Sequence, residues 1–172
     1  MYGNIEYAKI LTRTATFAAL ISIGGWVSIV VPILPLVPFT LQTLFLLLAA
    51  LVMKRYAVLP AVLYILLGVC NLPVFHNGTA GLGVLLGPTG GYIIGFVPAA
   101  LIAGLLCEKT FRHAEITGII SASIIIWIFG TAWLSLSTGM PFAAAVMVGV
   151  LPFIPGDILK GVAALAIARR VT

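Results

Sequence analysis

The chain reads as an all-α membrane protein with six transmembrane helices and both termini on the cytoplasmic side. Three observations predict it. Of its 172 residues, 62% are hydrophobic and 8% charged, where a soluble domain carries roughly 25% charged residues. The apolar residues run continuously, as in Leu44 to Met53 and Ile119 to Phe129, whereas a membrane β-barrel would alternate apolar and polar positions. The basic residues come in small groups at the ends of these runs, as topology signals do. The net charge of +5 therefore implies no nucleic acid, since no basic stripe or nucleic-acid motif accompanies it.

Each element follows in order. A spanning helix needs about 20 mostly apolar residues. The first run is Ala15 to Val31, with Lys9 and Arg13 before it, and Pro32, Pro35 and Pro38 then break the chain. Phe39 to Met53 is the second run, stopped by Lys54 and Arg55, and Ala57 to Cys70 is the third. A Gly-rich stretch follows from Asn71 to Gly91. Tyr92 to Cys107 is the fourth run, closed by the polar segment Glu108 to Glu115, and Ile116 to Leu136 is the fifth. Asp157 to Ala168 is the last. Between them, Pro141 to Leu151 is apolar but spans only about 16 Å as a helix, at ~1.5 Å per residue. It reads as an interfacial or re-entrant helix on the outer side.

With the N-terminus inside, Lys9, Arg13, Lys54, Arg55, Lys109, Arg112, Arg169 and Arg170 all fall on the cytoplasmic side. The outer connections then hold no Lys or Arg. A seventh crossing would place Arg169 and Arg170 outside, against the positive-inside rule. Residues 1–172 form one transmembrane substrate-binding domain. Met1 to Lys9 is polar and mixed in charge, and no cleavable signal peptide is evident. Cys70 and Cys107 fall near opposite ends of neighbouring helices and are expected as free thiols.

Asp157 and Lys160 stand apart from every other charge. They lie within the apolar stretch that follows Leu151-Pro-Phe-Ile-Pro-Gly156. An ionisable residue at membrane depth is costly and marks a functional site by default. Three apart on a helix, the two share a face. Pro155 suits a helix start, and Asp157 complements the helix dipole, so a simple helix start accounts for the aspartate. It does not account for a lysine one turn further in. The pair points to a small polar ligand held within the membrane.

The Gly-rich connection is the second informative element. Glycines at 78, 81, 83, 87, 90 and 91 let backbone approach a ligand or a helix closely. Val84, Leu85 and Leu86 are apolar, so the stretch folds back into the bundle. Gly87-Pro-Thr-Gly-Gly91 lacks the Gly-Lys-Ser/Thr of a phosphate loop, so the chain is not itself an ATPase. His76 and His113 fall on opposite sides of the membrane, which argues against a shared metal site. No nucleophile–base pair suggests an enzyme, and no cofactor is implied. Ala15 and Ala19 form a small-x-x-x-small motif that permits close helix approach.

Five strings, in order, resemble the BioY family, the biotin-specific S components of energy-coupling factor (ECF) transporters. They are Val37-Pro-Phe-Thr-Leu-Gln-Thr-Leu-Phe45, Leu63-Tyr-Ile-Leu-Leu-Gly68, Leu72-Pro-Val-Phe75, Leu86-Gly-Pro-Thr-Gly-Gly-Tyr92 with Gly95-Phe96, and Leu151-Pro-Phe-Ile-Pro-Gly-Asp-Ile-Leu-Lys160. The resemblance implies a six-helix S-component fold and capture of biotin from outside. It implies partners too: a transmembrane T protein, contacted through Ala15 and Ala19, and two cytoplasmic ABC-type ATPases. Asp157 and Lys160 match the family's ligand site at the start of the last helix. Some members carry an arginine in the Gly-rich loop; Asn71 to Gly91 has none.

The chemistry of the residues agrees with such a ligand. Biotin offers two ureido N–H donors, one carbonyl, an apolar thioether ring and a carboxylate. Asp157 can accept from N–H groups, and Lys160 can donate to a carbonyl or carboxylate. Gln42, Asn77 and Tyr92, in the matching segments, are further candidate contacts. The alternatives are an S component for another vitamin and a solitary transporter. The topology is testable in a chain freed of Cys70 and Cys107. Thr79→Cys is expected to react with an impermeant thiol reagent on intact cells, and Lys109→Cys only once the membrane is opened. The reverse pattern would refute the assignment.

Overall fold

Hydropathy marks where a chain sits in lipid, not where a helix begins. In the computed structural model, which describes residues 2–31 and 34–171, helix α1 spans Tyr2–Trp26 and starts well before the apolar run. Threonines within it are satisfied by the helix backbone: Thr12 Oγ1 donates to Ala8 O and Thr16 Oγ1 to Thr12 O, each at 2.9 Å.

Beyond α1 the chain departs from a simple break. Strands β1 (Ser28–Val31) and β2 (Leu34–Thr40) form an antiparallel hairpin, with Ser28 opposite Thr40 and Ile29 opposite Phe39. Pro35 and Pro38 lie inside β2 rather than between elements, and Pro32 lies outside the described residues. A two-stranded ribbon leaves an unpaired edge on each strand, where proline's missing N–H is tolerated.

The remaining helices follow the apolar runs closely. They are α2 (Gln42–Met53), α3 (Val58–Val69), α4 (Leu82–Leu86), α5 (Gly90–Cys107), α6 (Ala114–Thr138), α7 (Phe142–Gly149) and α8 (Ile154–Val171). Six of these, α1, α2, α3, α5, α6 and α8, are the six expected helices. Among the described residues, four stretches are long and apolar enough to cross a membrane: Gln42–Val69, Gly90–Cys107, Ala114–Thr138 and Phe142–Val171. The first joins α2 to α3 across a turn at Lys54 (φ 54°, ψ −132°). The short apolar piece after α6 is indeed a separate helix, α7. Gly139, at φ 72°, ends α6 in the left-handed conformation that glycine tolerates.

The two ends of the bundle differ in chemistry. At one, the Arg55 guanidinium Nε lies 2.7 Å from Glu108 Oε1, and Arg169 Nε lies 3.8 Å from Glu115 Oε2. Glu6, Lys9, Arg13 and Lys54 line a cleft beside Glu108. Hydrogen bonding from Arg55 holds the Glu108 carboxyl down at about 2, so this tie stays ionic throughout the physiological range. Asp157 and Lys160 begin α8 at the opposite end, where the hairpin and the Gly-rich connection also lie.

Between the ends, α5 and α6 meet along a seam of small residues. Gly91, Gly95, Ala99 and Ala103 repeat every four positions on α5, and Gly118, Ala122 and Gly130 share a row on α6. In lipid, association rests on such close packing. A Cβ at Gly91 would overlap the Phe129 carbonyl and Trp133 Cβ, and one at Gly95 would reach 3.0 Å from Phe129 Cβ. Overpacking of this kind typically costs ~1–3 kcal/mol, while alanine in a helix gains ~1 kcal/mol over glycine. Gly91→Ala is therefore expected to lower thermal stability in detergent, with Gly95→Ala close to neutral. Equal melting temperatures for the two variants would contradict this seam.

Candidate ligand-binding site

Helix α8 begins directly after a 3-10 turn at Leu151–Phe153, so its first turn is held against the bundle end. That places Asp157 in the first turn and Lys160 one turn in, both inward. Lys160 Nζ lies 2.9 Å from Asp157 Oδ1, with the two side chains 8% and 14% exposed. Each charge also has a second partner. Trp127 Nε1 on α6 donates to Asp157 Oδ2 at 3.0 Å. The Phe39 ring of β2 lies under Lys160 Nζ, 3.9 Å from its centroid, within cation–π range. Phe39 is in turn stacked on Phe153 at 6.1 Å. Removing one partner of such a buried pair typically costs ~3–5 kcal/mol, so these contacts fix the pair in place.

The pair faces a small cleft that opens at this end of the bundle. Residues from β2, α2, α5, α6, α7, α8 and the Gly-rich connection form its wall. Val37, Pro38 and Thr40 come from β2, Gln42 and Thr43 from α2, Tyr92, Ile93 and Phe96 from α5, Ile126 and Trp127 from α6, Gly149 from α7, and Phe153 lies just before α8. His76 and Thr89 come from the Gly-rich connection. The walls are mainly apolar and aromatic, with few polar groups converging.

The expected residues are used in different ways. Asp157, Lys160, Gln42 and Tyr92 all line the cleft. Gln42 is already engaged: its Nε2 donates to the Tyr64 hydroxyl, and its Oε1 accepts from Thr40 Oγ1 at 3.1 Å. Tyr92 donates its hydroxyl to Gly149 O at 2.8 Å, which ties α5 to α7 and presents the ring as wall. Asn77 is not brought into the cleft lining. It is exposed at φ 54°, and its Oδ1 accepts from Ser28 Oγ, which fastens the connection to the hairpin. Ala15 and Ala19 lie far along α1 on its exposed face, opposite the buried Thr14, Phe17, Ala18 and Ile21.

Several cleft residues escaped the sequence reading. Trp127 and Phe39 sit in apolar runs, and nothing local shows that they meet a charge. Thr43 and His76 each carry a buried atom without a hydrogen-bond partner, Oγ1 and Nδ1. The available signal was residue type alone: a tryptophan and a histidine in mainly apolar or Gly-rich segments.

Comparison with known proteins places this architecture. The BioY family model matches residues 2–172. The biotin transporter BioY of Thermotoga maritima is 42% identical over 164 residues, 94% of each chain. That of Rhizobium etli is 31% identical over 173 residues, 94% of this chain and 91% of its own. A crystal structure of the S-component for biotin from an ECF-type ABC transporter superposes with a TM-score of 0.87 at 27% identity, covering 98% of this chain and 93% of that one. The Leu151-to-Lys160 string, the aromatic cleft around its charge pair and these matches over nearly the whole length together establish that the chain is a member of the BioY family.

Proposed function

We propose that this chain is the membrane-embedded S component of an ECF-type importer, that it binds biotin at the outer side, and that partner ATPases drive delivery inward. The observation that carries this reading is the buried Asp157–Lys160 pair set in an aromatic cleft, in a chain whose relatives are named biotin transporters. Asp157 accepts from the ureido N–H groups while Lys160 donates to an oxygen of the ligand. The faces of Phe96, Trp127 and Phe153 cover the apolar bicycle. Tyr92 and Gln42 shape the wall, and Asn77 acts through the loop it holds. Both termini lie in the cytoplasm, because the eight other Lys and Arg residues gather at that end.

The chain contributes no ATPase chemistry; two ABC-type ATPases supply it through a T protein. Docking uses the exposed small face of α1, where Ala15 and Ala19 admit a partner helix at close range. Ala15→Trp combined with Ala19→Trp is expected to abolish co-purification with the T protein and ATPases, and with it ATP-driven uptake. Biotin binding by the isolated chain is expected to persist. A double variant that still assembles would show these alanines to be ordinary surface.

Binding itself is tested at the pair. Asp157→Asn and Lys160→Ala are each expected to weaken biotin binding by at least tenfold, since a lost charge-assisted hydrogen bond is worth about 1.5–3 kcal/mol. Both should still insert into the membrane, which size-exclusion profiles in detergent will check. Unchanged affinity in both folded variants, by calorimetry with biotin, would remove the basis of the reading.

A further inference from the structure

The charge pair does not exhaust the polar chemistry of the cleft. His76 lies in a 3-10 turn, His76–Gly78, held from both sides. Thr79 Oγ1 donates to His76 O at 2.8 Å. The preceding Phe75 is fully buried, edge-on against Tyr64 with ring centroids 5.4 Å apart. The imidazole is thus a positioned group at the cleft wall rather than a loop side chain free to swing.

His76 Nε2 lies 3.2 Å from Thr89 Oγ1, and Nδ1 is buried with no partner. A threonine hydroxyl both donates and accepts, so the neutral ring can carry its proton on either nitrogen. The imidazolium donates from both: Nε2–H to Thr89 Oγ1, and Nδ1–H from a buried position beside the cleft. A protonated His76 therefore holds an unpaired buried donor, complementary to an acceptor.

The charge balance of the cleft says which acceptor. Asp157 and Lys160 face each other and sum to zero. From α5, Tyr92 is bonded to Gly149 O; from the Gly-rich connection, Thr89 is neutral; from α2, Gln42 and Thr43 are neutral; from α3, Tyr64 is bonded to Gln42. The end of α1 brings Trp26, with no charge. Tyrosines ordinarily ionise only near pH ~10. An anionic ligand group entering here finds no uncompensated cation, and His76 is the group that can become one near neutrality.

We infer that His76 receives the carboxylate of the ligand through Nδ1–H, and that the imidazole takes up a proton as the carboxylate arrives. This rests on the biotin reading above. Burial already pushes the His76 pKa below its ordinary value in the free protein. A carboxylate partner pushes it up. Between the free and bound values, affinity rises as pH falls; outside that window it is flat while the carboxylate stays ionised.

Calorimetry on the purified full-length chain tests this with two probes, biotin and its neutral primary amide. Titrations between pH 6 and 8, in buffers of different ionisation enthalpy, count protons taken up (window set by the ordinary histidine value near ~6.5). Biotin is expected to bind with net proton uptake and to tighten towards pH 6; the amide is expected to show neither. His76→Gln should remove the uptake and weaken biotin by roughly tenfold or more, with the amide little changed. Equal weakening of both probes in His76→Gln, or a pH profile that survives it, would overturn the assignment. The wild-type proton count decides even if that variant fails to fold. Binding of both probes without uptake sinks this inference alone, whereas binding of neither sinks the biotin reading with it.

Discussion

A lysine ammonium and an aspartate carboxylate buried inside an apolar bundle are costly unless each is partnered. Taking two charges out of water costs several kcal/mol per ion. Here the 2.9 Å contact between Lys160 and Asp157 is extended on both sides, by the Trp127 N–H and by the Phe39 ring. Three elements distant in sequence thereby converge on one helix turn. The hairpin is bound to α8 through Phe39, and α6 through Trp127. Much of this end of the molecule is arranged around keeping two charges satisfied while leaving one side of them open to a ligand.

That arrangement needs a rigid base, which the α5–α6 seam supplies. Glycines and alanines along both helices let the backbones approach within contact of each other's side-chain stems, as at Gly95 and Phe129. Two consequences reach the cleft. Tyr92 on α5 packs across Gly130 on α6 and bonds to Gly149 on α7. Trp127 leaves the same seam toward Asp157. The polar site is therefore positioned largely by the close packing of small residues.

The legible and illegible parts of the sequence divide along physical lines. Helices α2, α3, α5, α6 and α8 were readable because lipid demands long apolar runs, and Lys or Arg closes the runs at one end. Asp157 and Lys160 were readable because charge is rare there. The hairpin was hidden: Leu34–Thr40 carries two prolines, which in a strand are tolerated only at an unpaired edge. Trp127, Phe39 and His76 were hidden for another reason. Their roles depend on partners 30, 121 and 13 residues away (Asp157, Lys160 and Thr89), and no local pattern encodes such a meeting. Asn77 sits in the matching loop, yet its contact is to Ser28, so its place in a family string did not make it part of the wall.

Helix α1 runs from the face proposed for docking to the cleft end of the bundle. It is one unbroken helix from Tyr2 to Trp26, with Ala15 and Ala19 exposed along its middle. At its far end Trp26 Nε1 donates to Pro73 O at 2.7 Å, and Leu41 N donates to Gly24 O at 3.0 Å. A Cβ at Gly25 would come within 2.9 Å of Gln42 Nε2, so α1 lies directly against a residue of the cleft. The Gly-rich connection, the hairpin and the start of α2 all hang on this last turn. A helix cannot tilt at its middle without carrying its end along. The alanine face and the contacts that hold the hairpin and the loop bearing His76 lie on the same helix. The face proposed for docking and the mouth of the cleft thus share one helix.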